Sequence, residues 1–526
     1  MPMVSVIVPV FNPGSDIDDL IASLLGQTLP AEQLELIFVD DGSTDGTPAR
    51  LDALAAQHPH VRVEHIPNSG WPGRPRNVGL DMATADYVFF ADNDDWLERD
   101  ALERLHAMAV LDRADVVIGK VVGHGKGVPR ILFERNLHGV KFDSDVLVRL
   151  LAPHKLFRRR LLHEHGLRFP EGKRRLEDHP FVLGAYFAAE RISVLADHPI
   201  YHWMRRKDGA NASTGRFDAE GYFQNVREVL DLVESRTEPG PWRDQLLMHW
   251  YRSKMLARVG GRAFVARAPD WREELYEAVR SLALERFGED VHERLPFNLR
   301  LRSKLLRAGN LDALTRLSRF ERRLRAVVHV RGLERAGTHL VVRLESWLGG
   351  PLTQLRFERD DEHAYWVPPN PELAAAVDEP DRDATGELRR STVEVTLRNL
   401  EDASEYVLPA RTQVRLPVVG DLGRIRPTLR TTVPIAPTAA AAGGPLPPGR
   451  WHLRATVTVA GFMRTTTVES DGEPLVVTTY APGRIVVGDA PPPPPGLPVR
   501  VYRRLPPVVM HGIRRTRARA ASAVRG

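Results

Sequence analysis

YVFFADNDDW, residues Tyr87 to Trp96, is an apolar run that ends in Asp92, Asn93, Asp94 and Asp95, four residues of which three are carboxylates. Tyr87, Val88, Phe89 and Phe90 have the unbroken apolar pattern of a short strand covered on both faces. Like charges crowded at the carboxyl end of a core strand repel one another unless a cation sits among them. An oxygen-ligated divalent ion suits that place, because Mg²⁺ or Mn²⁺ takes one or two carboxylates and completes its shell with water and substrate phosphates. The competing reading is a helix start, with Asp92 or Asp94 capping a helix around Asp100–Ala109.

Upstream of this run the chain alternates strand and helix signals. Val4–Val10 reads as a buried strand, followed by the turn cluster Asn12 to Ser15. Ile17, Leu20, Ile21, Leu24 and Leu25 recur on one helix face. Leu34–Val39 is the next strand and ends in Asp40, Asp41, Gly42 and Ser43; Pro48 sits near the first turn of a second helix, and Val61–Ile66 is a third strand. This order predicts an α/β domain with a mostly parallel sheet covered on both faces, and such sheets bind ligands beyond the carboxyl ends of their strands. Pro9 to Asn12, Asp40 and Asp41, Asn68 and Ser69, and Asp92 to Asp95 should therefore meet in one crevice. Gly70–Gly79, GWPGRPRNVG, brings Arg74 and Arg76 just ahead of a helix, where cationic side chains and free N–H groups meet phosphates. No GxGxxG follows the first strand, which disfavours a dinucleotide site.

The rest of the chain sets bounds. Its 526 residues predict roughly two to four domains. The net charge of +5 permits a polyanionic partner without requiring one, and no nucleic-acid partner is expected. With no cysteine, disulfides, thiolate metal sites and cysteine nucleophiles are excluded. No apolar run reaches the roughly 18 residues of a membrane span and no signal peptide is legible, so a cytoplasmic location is expected.

The segments VSVIVPVFN, VDDGSTDGT, NSGWPGRPRNVGL and FFADNDDW, in this order and spacing, resemble the family 2 glycosyltransferases with the GT-A (Rossmann-like) fold. The resemblance implies a nucleoside-diphosphate-sugar donor, with Pro9, Asp41, Asn68, Arg76 and Asp92 lining the nucleotide. It makes Asp92, Asn93 and Asp94 a DxD-type motif and Asp94 the ligand of Mn²⁺ or Mg²⁺. Gly123–Pro129, GHGKGVP, lacks the P-loop pattern and reads as a mobile loop over the site with Lys126 able to meet an anion; Lys155 adds positive charge near the acceptor side. Glu177 and Asp178 are adjacent, so on a helix they point about 100° apart: one would be a base and the other a structural partner. Adjacent carboxylates also cannot flank a scissile bond as a hydrolase requires. The family places its base at the second residue of such a pair, here Asp178, and Tyr201–Ser213 resembles its lid segment, with Arg206 a diphosphate contact.

Across roughly residues 3 to 215 the resemblance extends to the wall-teichoic-acid enzymes that put β-N-acetylglucosamine on poly(ribitol phosphate). Trp71 stands where those enzymes tend to carry a small residue, and His179 and Pro180 follow the acidic pair. The expected activity is inverting, metal-dependent transfer of a sugar, by preference N-acetylglucosamine from its UDP form, to an anionic cell-wall polymer. Alternatives are a capsular or exopolysaccharide glycosyltransferase using UDP-glucose or UDP-galactose, and a carbohydrate-binding scaffold with an inactive transferase domain. The expected domains are a catalytic domain over 1–216, a helical linker region over 217–324, β-sandwich modules over 325–430 and 431–488, and a Pro-rich spacer with a basic tail over 489–526. Val226, Val229, Leu230 and Val233 carry the helical signal, and THLVVRLES, STVEVTLRN and WHLRATVTV the strand signal. By resemblance the β modules hold a homotrimer. Val499–Gly526 has eight arginines and no acid, and is either a solubilising tail or a tether to the inner membrane face.

Overall fold

The computed structural model describes residues 2–205, 216–350, 353–360, 362–418, 424–481 and 484–487. The spacer and basic tail, 489–526, lie outside them, as does Arg206.

The N-terminal part, expected to be catalytic, is built on one nine-stranded sheet. Its strands are β1 (Val4–Val10), β2 (Leu34–Asp40), β3 (Val61–His65), β4 (Tyr87–Phe90), β5 (Trp96–Leu97), β6 (Val116–His124), β7 (Leu137–Val140), β8 (Leu156–Arg158) and β9 (Ile192–Met204). They run in the order β3-β2-β1-β4-β8-β6-β9-β5, with β7 on β9. β1 pairs parallel with both β2 and β4, and β2 with β3, so four strand ends emerge on one edge. β8, β7 and β5 are antiparallel to their neighbours. Every residue of β1, β2 and β4 is buried, as strands covered by helices on both faces must be.

The helices are α1 (Ile17–Leu25), α2 (Thr47–Gln57), α3 (Gly73–Met82), α4 (Ala101–Asp112), α5 (Arg159–Glu164) and α6 (Asp178–Ala188). Two glycines fix α3. A Cβ at Gly79 would stand 2.4 Å from Ile7 Cγ2 on β1, and one at Gly73 would stand 2.3 Å from the carbonyl oxygen of Pro170. Only bare backbone lets α3 sit that close to the sheet, and that contact sets the depth of Arg76.

The competing reading of the acidic run fails and two expectations change. Neither Asp92 nor Asp94 caps a helix: the chain turns after Asp95 into β5, and α4 begins behind Asp100. β9 runs unbroken from Ile192 to Met204, so the start of the expected lid segment is sheet. Tyr201 and His202 are fully buried between Trp96–Leu97 and Val121–Val122, and burying a polar backbone requires that it be paired. The β modules also do not divide at 430. The strand Thr428–Ile435 crosses that boundary, and Thr392–Asn399 pairs with Gly449–Val459. Residues 325–487 instead form interleaved sheets: Arg325–Ala336, His339–Gly350, Thr428–Ile435 and Arg411–Arg415 in one, Thr392–Asn399, Gly449–Val459 and their neighbours in another. These sheets pack against each other, Arg325–Ala336 against Phe462–Thr467.

Between the halves lie helices from Ala219–Arg236 to Leu311–Arg323, the expected linker region. Val226, Val229, Leu230 and Val233 bury one face of its first helix. The linker reaches the catalytic domain through Trp250, whose indole N–H donates to His179 Nδ1 at 3.1 Å, and through Glu228, which pairs with Arg174 at 2.5 Å.

Candidate active site

The strand ends build the crevice from β1 outward. Asn12 adopts φ 43°, a left-handed turn that asparagine tolerates, and its side chain accepts the Thr44 N–H at 2.8 Å. The loops after β1 and β2 are thereby joined. Asp41, after β2, accepts the Ser69 N–H at 2.8 Å and its hydroxyl at 2.9 Å, while the Asn68 amide donates to the Asp41 carbonyl at 2.9 Å. Three loops from three strands thus lock into one rim.

Arg76 is the hinge of charge. It is buried, donates to Asp92 at 2.8 Å and to Glu177 at 3.1 Å, and lies over the Phe169 ring at 5.2 Å. Burial opposes its charge, but Asp92 and Glu177 more than offset that and hold the guanidinium protonated. The second oxygen of Glu177 accepts the Trp71 indole N–H at 2.9 Å. Glu177 is therefore the structural member of the acidic pair, committed to Arg76 and Trp71.

Asp178 opens α6 with its side chain 26% exposed and its carboxylate 4.0 Å from His179 Nε2. Leu176, two residues earlier, holds φ 63°, a strained conformation for a bulky side chain that turns the chain into this helix start. Burial and the adjacent Glu177 push the Asp178 carboxyl up to about 7, while Lys254 of the linker region and Arg76 act to lower it. A carboxylate that titrates near neutrality is suited to taking and releasing a proton.

A cavity of about 380 Å³ spans the strand ends, lined by Pro9, Asp41, Asn68, Arg76, Asp92, Asn93, Asp94, Lys126 and Glu177. The residues gathered from separate motifs thus share one crevice. Phe11, 47% exposed, with Trp71 and Trp203 adds apolar walls, and Lys126 Nζ lies 4.5 Å from the Trp203 ring centroid. Lys155 is corrected: it is fully buried, donates to the Ala152 carbonyl and is not on the lining of this cavity. Burial pulls its amine down to about 7, with Asp178 opposing, so it acts on the site through charge alone.

Asp92, Asp95 and His154 each offer one ligand atom, all within 4.8 Å, and Asp94 is not of this group although it lines the crevice. His154 Nε2 lies 3.5 Å from Asp92, and its ring stacks on Tyr201 at 4.2 Å. Burial takes the imidazole down to about 4, leaving it neutral and able to ligate at pH 7. Asp95 is the poorest donor of the three: it is fully buried, and its oxygens accept the Tyr201 hydroxyl at 2.6 Å and the Met204 N–H at 2.7 Å. Burial and the charges of Asp92 and Asp94 push its carboxyl well above the usual range, the electrostatic strain that a cation relieves. Carboxylate oxygens suit Mg²⁺ or Mn²⁺, and the imidazole favours Mn²⁺. The donor set therefore fits such an ion.

His154 and Lys254 carried no legible signal, and Tyr201 was legible only as the start of the lid segment, since each lies far in sequence from the motif it meets. Trp71 stood inside a quoted motif, but only the fold shows its N–H on Glu177.

Apart from Tyr201, Trp203 and Met204, which lie between the two matched segments, these residues fall within segments matched by known families. The Glycosyl transferase family 2 model matches residues 5–191, and the Glycosyl transferase TarS linker domain model matches 219–318. The poly(ribitol-phosphate) beta-glucosyltransferase of Bacillus spizizenii is 29% identical over 60% of this chain and 50% of its own, so the chain spans about half the length of that relative. The poly(ribitol-phosphate) beta-N-acetylglucosaminyltransferase TarP of Staphylococcus aureus is 31% identical over 44% of this chain and 72% of its own. The crystal structure of S. aureus TarS 1–349 in complex with UDP-GlcNAc superposes with a TM-score of 0.54 at 26% identity, covering 65% of this chain and 96% of that one. A GT-A-like sheet with the family's motifs at its strand ends, followed by its linker helices, leaves one assignment: the chain is a family 2 glycosyltransferase.

Proposed function

We propose that the chain moves a sugar from a UDP-sugar onto a hydroxyl of a polyol-phosphate polymer, inverting the anomeric centre. One observation carries this reading: a single crevice at the carboxyl ends of the parallel strands collects Asp41, Asn68, Arg76 and Asp92–Asp94, with Glu177 on its wall and Asp178 the next residue, at the start of α6. Pro9, Asp41 and Asn68 would bound the uridine beside the exposed ring of Phe11. Asp92 and Asp94 from the loop after β4, and His154 just before β8, would hold Mn²⁺ or Mg²⁺, which when bound neutralises the departing diphosphate. Asp178 takes the proton of the acceptor hydroxyl as that oxygen attacks the anomeric carbon. Glu177 keeps Arg76 against Asp92 and raises the proton affinity of its neighbour. Arg206 remains a proposed diphosphate contact.

N-acetylglucosamine is the preferred sugar, supported by the relationship to TarP and TarS. Glucose is the second reading, favoured by the similarity to the Bacillus enzyme. UDP release by the full chain, measured across UDP-sugars with and without poly(ribitol phosphate), tests both. Polymer-dependent release that stops with EDTA and returns with Mn²⁺ is expected. Equal release with and without polymer, or transfer only to uncharged glycans, would defeat the acceptor assignment.

A further inference from the structure

A second and larger cavity, about 530 Å³, lies between the catalytic domain and the C-terminal sheets. One wall is the end of β6 and the loop after it, from Lys120 to Arg130; the other is formed by strands Thr392–Asn399, Glu405–Leu408 and Gly449–Val459, bearing Arg398, Glu405 and Arg454. Its charge is not balanced. Arg398 and Arg454 both donate to Glu405 Oε1 at 2.6 Å, and Arg130 reaches Glu405 Oε2 at 3.4 Å while also pairing with Glu394 at 2.5 Å. Lys120 and Lys126 join these three guanidiniums on the lining, where Glu405 is the single carboxylate.

Lys120 marks the cleft as built to receive something. Its side chain is buried, 2% exposed, and its Nζ lies 3.4 Å from the Tyr406 ring centroid. Among the described residues that amine has no hydrogen-bond partner. A buried amine without an acceptor is costly, and an anion entering from the cavity supplies one. Lys126 lines both this cleft and the crevice, so the two are neighbours across one side chain.

We propose that the cleft is a phosphodiester-binding subsite, in which Lys120, Arg398 and Arg454 hold a phosphate of the acceptor chain outside the unit that reacts. This rests on the polyol-phosphate reading above and adds to it a place where the C-terminal sheets serve substrate recognition. A polymer held there runs past Lys126 toward the crevice. The enzyme then distinguishes a polyanionic chain from a single unit by binding, without any change in the transfer step.

The test uses the full chain with Lys120→Met, and separately with Arg398→Gln and Arg454→Gln together. KM and kcat are measured for poly(ribitol phosphate) and for ribitol 5-phosphate as a single-unit acceptor, with UDP affinity as the check on folding. Lys120→Met should raise KM for the polymer about tenfold, the loss of one charge-assisted contact, and the double variant, which loses two, by at least as much. The kcat at saturating polymer, the KM for the single unit and the UDP affinity should stay within twofold. An unchanged polymer KM overturns the subsite, and so does an equal rise for both acceptors. If the unsubstituted enzyme uses neither phosphate acceptor, the function reading fails first; if it uses the polymer and the variants match it, the subsite alone fails.

Discussion

At the scale of single residues, the division of labour between two adjacent carboxylates decides the chemistry. Glu177 is tied to Arg76 and Trp71, and Asp178 is left to titrate near 7. Asp178→Asn should lower transfer on the order of a thousandfold, as loss of a general base does, while UDP affinity by calorimetry stays within twofold. Retained turnover would remove Asp178 from the mechanism. A base works ionised, so the rate should rise with pH through about 7 and fall about tenfold per unit below it. Because the charge of Glu177 raises the Asp178 carboxyl, Glu177→Gln should move that acid limb to lower pH in a kcat/KM profile. The motif showed the pair and which member resembled the family's base. That Arg76 and the Trp71 indole occupy Glu177 was not visible, because those contacts span about a hundred residues of chain.

Among elements, α3 and the loop before it carry the sharpest constraint. Gly79 lies against Ile7 and Gly73 against the Pro170 carbonyl, so neither has room for a methyl group. Gly79→Ala should destabilise the fold by about 1–3 kcal/mol in urea unfolding, the cost of overpacking a dense core. Gly73→Ala meets backbone instead of a side chain; it should also shift Arg76 and weaken UDP binding. Gly79→Ala at full stability would show that α3 packs less closely than described. The strand and helix signals of the first hundred residues placed β1, β2, β3 and β4 within a residue of their ends, since apolar runs between turn clusters have few alternatives. The continuation of β9 to Met204 was hidden: HPIYHWM mixes polar and aromatic residues, and only pairing with β5 and β6 reveals it as sheet.

On the scale of the whole molecule, the linker region belongs to the site. Lys254 lowers the Asp178 carboxyl from a different domain, so Lys254→Met should move the acid limb upward, opposite to Glu177→Gln. The same pH profile measures both, and shifts in one direction would refute the electrostatic account. The trimer expected by resemblance is open to light scattering of the full chain. The sequence by itself determined the α/β sheet, its family, the motifs that meet in the crevice and the order of linker and strand-rich halves, because periodicity and strand-end chemistry are local properties. Only the tertiary structure decided which carboxylate is held and which is free, that His154 joins Asp92, that Lys155 is buried, how the C-terminal sheets interleave, and that those sheets close a basic cleft on β6. Each of these is a contact between residues distant along the chain, and burial and partner choice exist only once the chain has folded.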